Sequence, residues 1–392
     1  MNLESGVPSE NIDVSPFRLS IAQSVLSDLQ TRLSNTRWPE PETVSDGSQG
    51  VPWKKMKALG DYWIHRYDWR RCEQMLNAFN QSRTTIDGVS IHFLHIRSRE
   101  SEARPLLLTH GWPGSVLEFY KVVGPLTDPM PNGGEARDAF HLVIPSLPGF
   151  GFSNKPAETG WGFERVADAW ITLMARLGYD QWLAQGGDLG SGVTEAIGRK
   201  RPAGCMGIHL NMSFFQPTPE EVRAATPQEL HFLAKARHYF DEMAGYASLQ
   251  GTRPQTLGYS LADSPAGQAA WTYEKFLECS DPDSERGDAF TMDEILDNVM
   301  LYWLPNAGAS SARMYWELRH SANTRERLPI EIPTGYSGFP REVIRASKRW
   351  LEARFSNLTY FNEPAKGGHF AALEQPQIFV NELRAAFRRM GS

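Results

Sequence analysis

Six short apolar runs constrain this chain more than any other feature. From residue 105 on, PLLLTHGW, HLVIPSLPGF, WLAQGGDLGSG, CMGIHLNMSFF, LPIEIPTGYSG and NLTYFNEPAKGGH alternate with longer stretches of helical character. Continuous apolar runs of this length, separated by helices, are the pattern of a parallel sheet covered on both faces by crossover helices. Between residues 214 and 327 no such run occurs. Helical candidates, Pro-rich joints and many aromatics fill that stretch, which predicts a mostly helical insertion. Ahead of the first run, Leu19, Ile21, Val25, Leu26, Leu29 and Leu33 follow helical spacing, predicting a helix over 19–36. Residues 40–52 read as a loop and residues 53–82 as one or two helices. TTIDGVSIHFLHI carries Asp87-Gly88 between two β-prone runs, a hairpin signal. Residues 1–16 are polar and read as loose.

Composition excludes several function classes. The formal charge is −6, so there is no basic footprint for nucleic acid. Three well-separated cysteines, Cys72, Cys205 and Cys279, build neither a disulfide framework nor a Cys-rich zinc site and read as buried thiols of a cytoplasmic protein. The start lacks the basic and apolar regions of a signal peptide, and no apolar run is long enough to span a membrane. His92 and His95 form H-x-x-H, but on a strand they face opposite ways, so no metal site is expected there. The 12 Trp, 12 Tyr and 20 Phe are consistent with packing or with an aromatic pocket.

The chemistry is concentrated in Gln185-Gly186-Gly187-Asp188-Leu189-Gly190-Ser191, between an apolar run and a helix-like segment. Gly186 and Gly190 bracket Asp188 as G-x-D-x-G. This is the arrangement of a nucleophile elbow, a sharp strand-to-helix turn that exposes its central residue, with Asp in place of the usual Ser. An Asp-containing glycine turn with no catalytic role fits the same five residues, so the neighbouring motifs decide. His110-Gly111-Trp112-Pro113-Gly114-Ser115 follows the first buried strand. A turn there would aim the Trp112 N–H at Asp188 and, with the Leu189 N–H, form an oxyanion hole. His369, in Gly367-Gly368-His369-Phe370 after the last strand, is the candidate base. Glu342, just past the penultimate strand, is the candidate acid that orients it. Glu363 is its rival but shares a segment with His369. The order Asp188, Glu342, His369 is the nucleophile–acid–base order of α/β-hydrolases.

HGWPGS, GGDLGS, FPRE and GGHFAALE together resemble the epoxide hydrolases of the microsomal type, including their bacterial and fungal soluble members. Thr36-Arg37-Trp38-Pro39, Asp61-Tyr62-Trp63, Tyr67-Asp68-Trp69-Arg70 and Leu76-Asn77 before the hairpin resemble that family's N-terminal segment. The resemblance implies an α/β-hydrolase fold with a mostly parallel eight-stranded sheet, a helical cap insertion and an N-terminal wrapping segment. It divides the chain into an N-terminal segment (1–100), a first core part (101–213), a cap (214–327) and a second core part (328–392). It further implies two cap tyrosines acting as acids, matched here by Tyr315 and Tyr246, with Tyr239 and Tyr259 close to the second. Trp112, Pro113, Phe152 and Phe370 are expected to line the pocket, whose aromatic character points to an apolar epoxide.

The chemistry fits these residue types. A carboxylate opens the strained ring at carbon while phenols protonate the departing oxygen. The resulting ester on Asp188 is then hydrolysed by water that His369 activates. A serine in that place would form an ether that addition to a carbonyl could not cleave. No cofactor and no metal are expected. The only partners called for are the epoxide and water, with no membrane anchor; a homodimer is compatible with the resemblance. A haloalkane dehalogenase would want a halide donor directly after the nucleophile, where this chain has Leu189. A ligand-binding relative without activity is the alternative from another class.

Overall fold

The computed structural model describes residues 14–214, 216–281, 289–321 and 329–390. Most of the segment expected to be loose, and the expected end of the insertion at residue 327, lie outside these. The hairpin at Asp87-Gly88 forms between β2 (Gln81–Ile86) and β3 (Val89–Ile96), after a short β1 (Ser15–Pro16). Asp87 and Gly88 both take positive φ, 51° and 78°, the geometry that matches the twist of a two-residue hairpin. The six apolar runs supply β4 (Arg104–Thr109), β5 (Phe140–Pro145), β6 (Trp182–Gly186), β7 (Cys205–Leu210), β8 (Thr334–Ser337) and β9 (Leu358–Asn362).

These strands form one sheet in the order β1-β2-β3-β5-β4-β6-β7-β8-β9. From β5 to β9 all pairings are parallel, and β1 to β3 extend the β5 edge antiparallel. The chain thus has the α/β-hydrolase architecture, with nine strands where eight were expected. The extra strand is β1, in which Ser15 and Pro16 pair with Arg83 and Ser82. Two residues whose partners lie so far along the chain carry no local signal. β8 also starts later than its apolar run: Ile330 makes only an isolated bridge to Phe355. Pro333, which has no N–H to give a ladder, separates that bridge from Thr334.

Alternation along β4 divides the core. Leu106 and Leu108 face a cluster with Val122, Leu126, Phe379, Leu383 and Phe387. Leu107 faces the other way, into a cluster with Val166, Trp170, Val193 and Ile197. The three leucines have no exposed surface, as expected of a strand covered on both faces. The free cysteines Cys72, Cys205 and Cys279 are all buried.

The predicted N-terminal helix is Gln23–Ser34, shorter than 19–36. Ahead of it, the Leu19 and Ile21 N–H groups are taken by the side chains of Asn77 and Glu73, at 2.9 and 2.7 Å, which ties residues 19–21 to the segment 73–77. Residues 53–82 resolve into Trp53–His65 and Trp69–Ala78, followed by β2. Between β7 and β8 the described residues form helices Pro219–Arg223, Pro227–His238, Gly245–Thr252, Pro254–Asp263, Pro265–Glu278, Met292–Trp303 and Gly308–His320. The Pro-rich joints are helix starts. Thr218 and Thr226 cap helices whose first residue is proline, and Thr291 closes a further capping box with Glu294.

The N-terminal helices hold the Met292–Trp303 helix through partly buried polar contacts. Tyr62 donates to Asp293 (3.0 Å), Tyr67 to Asp297 (2.8 Å), and the Arg71 guanidinium pairs with Asp297 at 2.6 Å. Asp297 is buried while Arg71 is partly exposed. Asp297→Ala, which leaves Tyr67 without its acceptor and Arg71 with only its looser pair to Asp293 at 3.9 Å, should therefore cost about 1–3 kcal/mol, less than the loss of a fully buried pair. Urea unfolding checks this; a variant as stable as the parent would contradict it.

Candidate active site

Asp188 sits at a left-handed turn, φ 47°, between β6 and the helix Asp188–Lys200. Three glycines make room for it. A Cβ on Gly111 would lie 2.3 Å from Asp188 Oδ1, one on Gly186 would lie 2.1 Å from the Gly190 carbonyl oxygen, and one on Gly190 would lie 2.0 Å from the Thr109 carbonyl oxygen. The turn is thus wedged against the end of β4 with no space for side chains, and the Asp188 carboxylate stands at a helix N-terminus, where negative charge is favoured.

The Trp112 N–H donates to Asp188 Oδ1 at 2.8 Å, as the sequence predicts. Leu189, buried, follows Asp188 in the first helical turn, where backbone N–H groups have no partner within the helix. The 110–115 loop is fixed from two sides. His110 Nδ1 contacts the Gly111 carbonyl at 2.9 Å and its Nε2 accepts the Leu147 N–H at 3.2 Å. Burial holds its pKa down to about 4, so the ring stays neutral and serves as a bracket. From the helix Met292–Trp303, Asn298 donates to the Pro113 carbonyl (2.6 Å) and Tyr302 to the Gly114 carbonyl (2.7 Å). Pro113 thus enters the site as a bound carbonyl on the loop that aims Trp112.

His369 lies between two carboxylates. Its Nδ1 is 2.9 and 3.1 Å from the two oxygens of Glu342, and its Nε2 is 3.4 Å from Asp188 Oδ2. Glu342 is 1% exposed and accepts the Val343 N–H at 2.7 Å, which fixes its plane. Glu363, the rival acid, pairs with Arg345 instead. Burial opposes charge on His369, but Glu342 and Asp188 outweigh it, and the imidazole is held well above its ordinary pKa. The loop carrying it is tied down by Glu374, which accepts N–H groups from Gly368 (3.1 Å), Phe370 (2.9 Å) and Asp281 (2.7 Å). Phe370 meets the His369 ring edge-on at 5.0 Å and stacks on Phe276 at 4.4 Å.

The far wall is aromatic. The Trp112 indole stacks on Tyr246 (centroids 4.7 Å apart) and meets Tyr315 edge-on at 6.0 Å. The Tyr246 hydroxyl is 2.6 Å from that of Tyr239, while Tyr259 is 70% exposed. Burial, together with the Asp188 charge, keeps Tyr239, Tyr246 and Tyr315 as neutral phenols with raised pKa values. One expected pocket residue is placed elsewhere. Phe152 packs against Phe17 and His92, at 5.7 and 5.6 Å between centroids, beside the N-terminal segment. Gly149 and Gly151, both at positive φ, bend the segment after β5 sharply just before it. His92 and His95 face opposite ways, His92 bonded to Ser146 and Gln81 and His95 to Tyr179. Among the described residues no group of His, Cys, Asp and Glu is arranged to hold a metal.

Sequence reasoning missed Glu374, Asn298, Tyr302 and Glu118. Glu374 stands inside the quoted motif GGHFAALE, so its spacing from His369 was an available signal; the others had none. Gly114 leaves room for Glu118, since a Cβ on it would lie 1.4 Å from Glu118 Oε1. Burial raises the Glu118 pKa to about 8; His369 and a hydrogen bond from the Gly111 N–H act against that shift, and Asp188 adds to it. The folded chain therefore keeps a proton that the unfolded chain loses near pH 4.5, and stability falls as pH rises from about 4.5 to about 8. Glu118→Gln removes this loss. Its melting temperature relative to the parent should climb between pH 5 and pH 9 by several degrees; an equal difference at both pH values would contradict the assignment.

The comparisons with known proteins agree with this geometry. The family model described as the epoxide hydrolase N terminus matches residues 14–119, and that of the alpha/beta hydrolase fold matches residues 104–244. The chain is 54% identical over 377 residues, 96% of its length and 85% of the relative's, to a Stigmatella aurantiaca protein named "Putative epoxide hydrolase". It is 32% identical to epoxide hydrolase 1 of Sus scrofa, covering 96% of this chain and 89% of that one. Among solved structures, the juvenile hormone epoxide hydrolase of Bombyx mori superposes with a TM-score of 0.88 at 30% identity, over 97% of this chain and 95% of that one. The Aspergillus niger epoxide hydrolase superposes at 0.86 and 31% identity, over 98% of each chain. With its wedged aspartate turn, its histidine between two carboxylates and these relatives along nearly its whole length, the chain belongs to the epoxide hydrolase family.

Proposed function

We propose that this enzyme converts an apolar epoxide and water to a vicinal diol through a covalent ester on Asp188. One observation carries the reading: Asp188 Oδ1 is held by the Trp112 N–H while Oδ2 faces His369 Nε2. The two oxygens are thereby assigned different tasks. Oδ2 attacks an epoxide carbon from the side opposite the breaking C–O bond. Tyr246 and Tyr315 donate hydrogen bonds to the epoxide oxygen, and one of them gives up its proton as the alkoxide develops.

Esterification then changes the electrostatics around His369. Two carboxylates keep it protonated in the free enzyme, and the ester removes the charge of one of them. The imidazolium proton passes back to the tyrosinate, and neutral His369, oriented by Glu342, takes a proton from water. The hydroxide adds to Asp188 Cγ. The charge that develops on Oδ1 is stabilised by the Trp112 and Leu189 N–H groups, each contributing about 3 kcal/mol. Collapse breaks the Cγ–Oδ2 bond, the proton of the added hydroxyl passes to the departing oxygen, and the diol leaves Asp188 as a carboxylate beside a His369 that is protonated again. The aromatic wall of Trp112, Tyr246 and Tyr315 suits an uncharged, apolar substrate. Leu189, directly after the nucleophile, offers no side-chain donor to a departing halide, which weighs against a dehalogenase.

In His369→Gln, alkylation should proceed while ester hydrolysis slows by about 10²–10⁴-fold. Intact-protein mass spectrometry after mixing with styrene oxide should show one adduct per chain, mapped to the peptide bearing Asp188. Continued diol release with no adduct would contradict the ester mechanism.

A further inference from the structure

Lys275 is 2% exposed, a burial that lysine reaches only when its charge is paired. It stands on the helix Pro265–Glu278, and its ammonium has three partners: Glu274 Oε1 at 2.8 Å, Glu278 Oε2 at 2.5 Å and the Met243 carbonyl at 2.9 Å. Burial disfavours the charge, but the two glutamates outweigh it, so the ammonium is retained. The site makes no direct use of this group. Its position is nevertheless specific, 4.7 Å from the ring centroid of Tyr246. The same ring stacks on Trp112, and its hydroxyl meets Tyr239. The Met243 carbonyl belongs to the π-helical turn Tyr239–Met243, which carries Tyr239 and leads into Tyr246. π-turns of this kind often mark functional positions.

We infer that Lys275 is a positioning residue for ring opening: it fixes the turn that carries Tyr246 and places a positive charge against the ring that becomes a phenolate. Asp188, Tyr315 and Tyr239 act on that ring and supply no positive charge; the protonated His369 pairs with Asp188, and Glu274 and Glu278 pair with Lys275 itself. When the Tyr246 hydroxyl gives its proton to the epoxide oxygen, the O–H bond breaks and a full negative charge appears in a dry aromatic pocket. A cation on the ring stabilises that charge and has little effect on the neutral phenol. It therefore acts on the transition state of alkylation. It has no such effect on water attack at the ester, where the charge develops on Asp188 Oδ1 against the Trp112 N–H and not on the Tyr246 ring.

The inference rests on the proposed covalent route, and the test separates the two. Single-turnover rates of ester formation and ester decay are measured for the parent, Lys275→Met, Lys275→Gln and Lys275→Arg, each with and without Tyr246→Phe. The Gln variant keeps a hydrogen bond to Met243 without charge and serves where the Met variant is unstable. The neutral variants should form ester about tenfold more slowly, with decay unchanged within about twofold. Arg should restore formation to within about threefold of the parent. In the Tyr246→Phe background the loss on neutralising Lys275 should fall below about twofold, because the ring then has no proton to give. Equal loss in both backgrounds, equal slowing of formation and decay, or no rescue by Arg would overturn the role of Lys275 and leave the ester mechanism standing. Absence of any ester in the parent would overturn both.

Discussion

The arrangement depends on the close approach of two backbone turns, the one after β4 and the one after β6. Gly111 and Gly190 let these turns touch and Gly186 lets the second turn close on itself; a Cβ at any of them would fall within bonding or clashing distance of a neighbour. That approach puts the Trp112 N–H on Asp188 Oδ1, fixing the plane of the carboxylate and setting its two oxygens in different surroundings, which the proposed route uses for different tasks. The remaining site is built against this fixed plane. His369 comes from beyond β9, Glu342 from beyond β8, and the phenols from the helical segment between β7 and β8.

Electrostatics gives the site its sequence of states. Three carboxyl groups, Asp188, Glu342 and Glu118, crowd one imidazole. Glu118 escapes the crowding by staying protonated. In the proposed route Asp188 is relieved only when it is alkylated. On that route a base held protonated by its nucleophile, and released once the nucleophile has reacted, would keep the two half-reactions in order with no moving part. The acid side follows the same logic: burial keeps three phenols neutral until substrate arrives.

What could be read from the sequence follows from how local each signal is. The sheet, the elbow, the 110–115 turn and the order Asp188, Glu342, His369 were legible because each rests on a few consecutive residues whose chemistry requires one another. Choosing Glu342 over Glu363 used topology alone, and the hydrogen bonds to His369 Nδ1 agree with that choice. Packing between distant segments left no comparable trace. Asn298 meets Pro113 and Tyr302 meets Gly114 across more than 180 residues of chain. Lys275 reads as one more charge on an amphipathic helix until its distance to Tyr246 is seen. Phe152 was misplaced for the same reason: its position after the strand was visible, but the direction set by Gly149 and Gly151 was not. Tyr246 could be separated from Tyr259 only by exposure, and it turned out to share its hydroxyl contact with Tyr239.

The central claim is that water attacks the Asp188 carbonyl and never the epoxide. One turnover in heavy-oxygen water, with enzyme in excess over an apolar epoxide, tests it most directly. The heavy oxygen should appear in the Asp188 carboxylate, and the diol from that first turnover should be unlabelled, having taken its second oxygen from Oδ2. Label in the first-turnover diol with Asp188 unlabelled would contradict the claim.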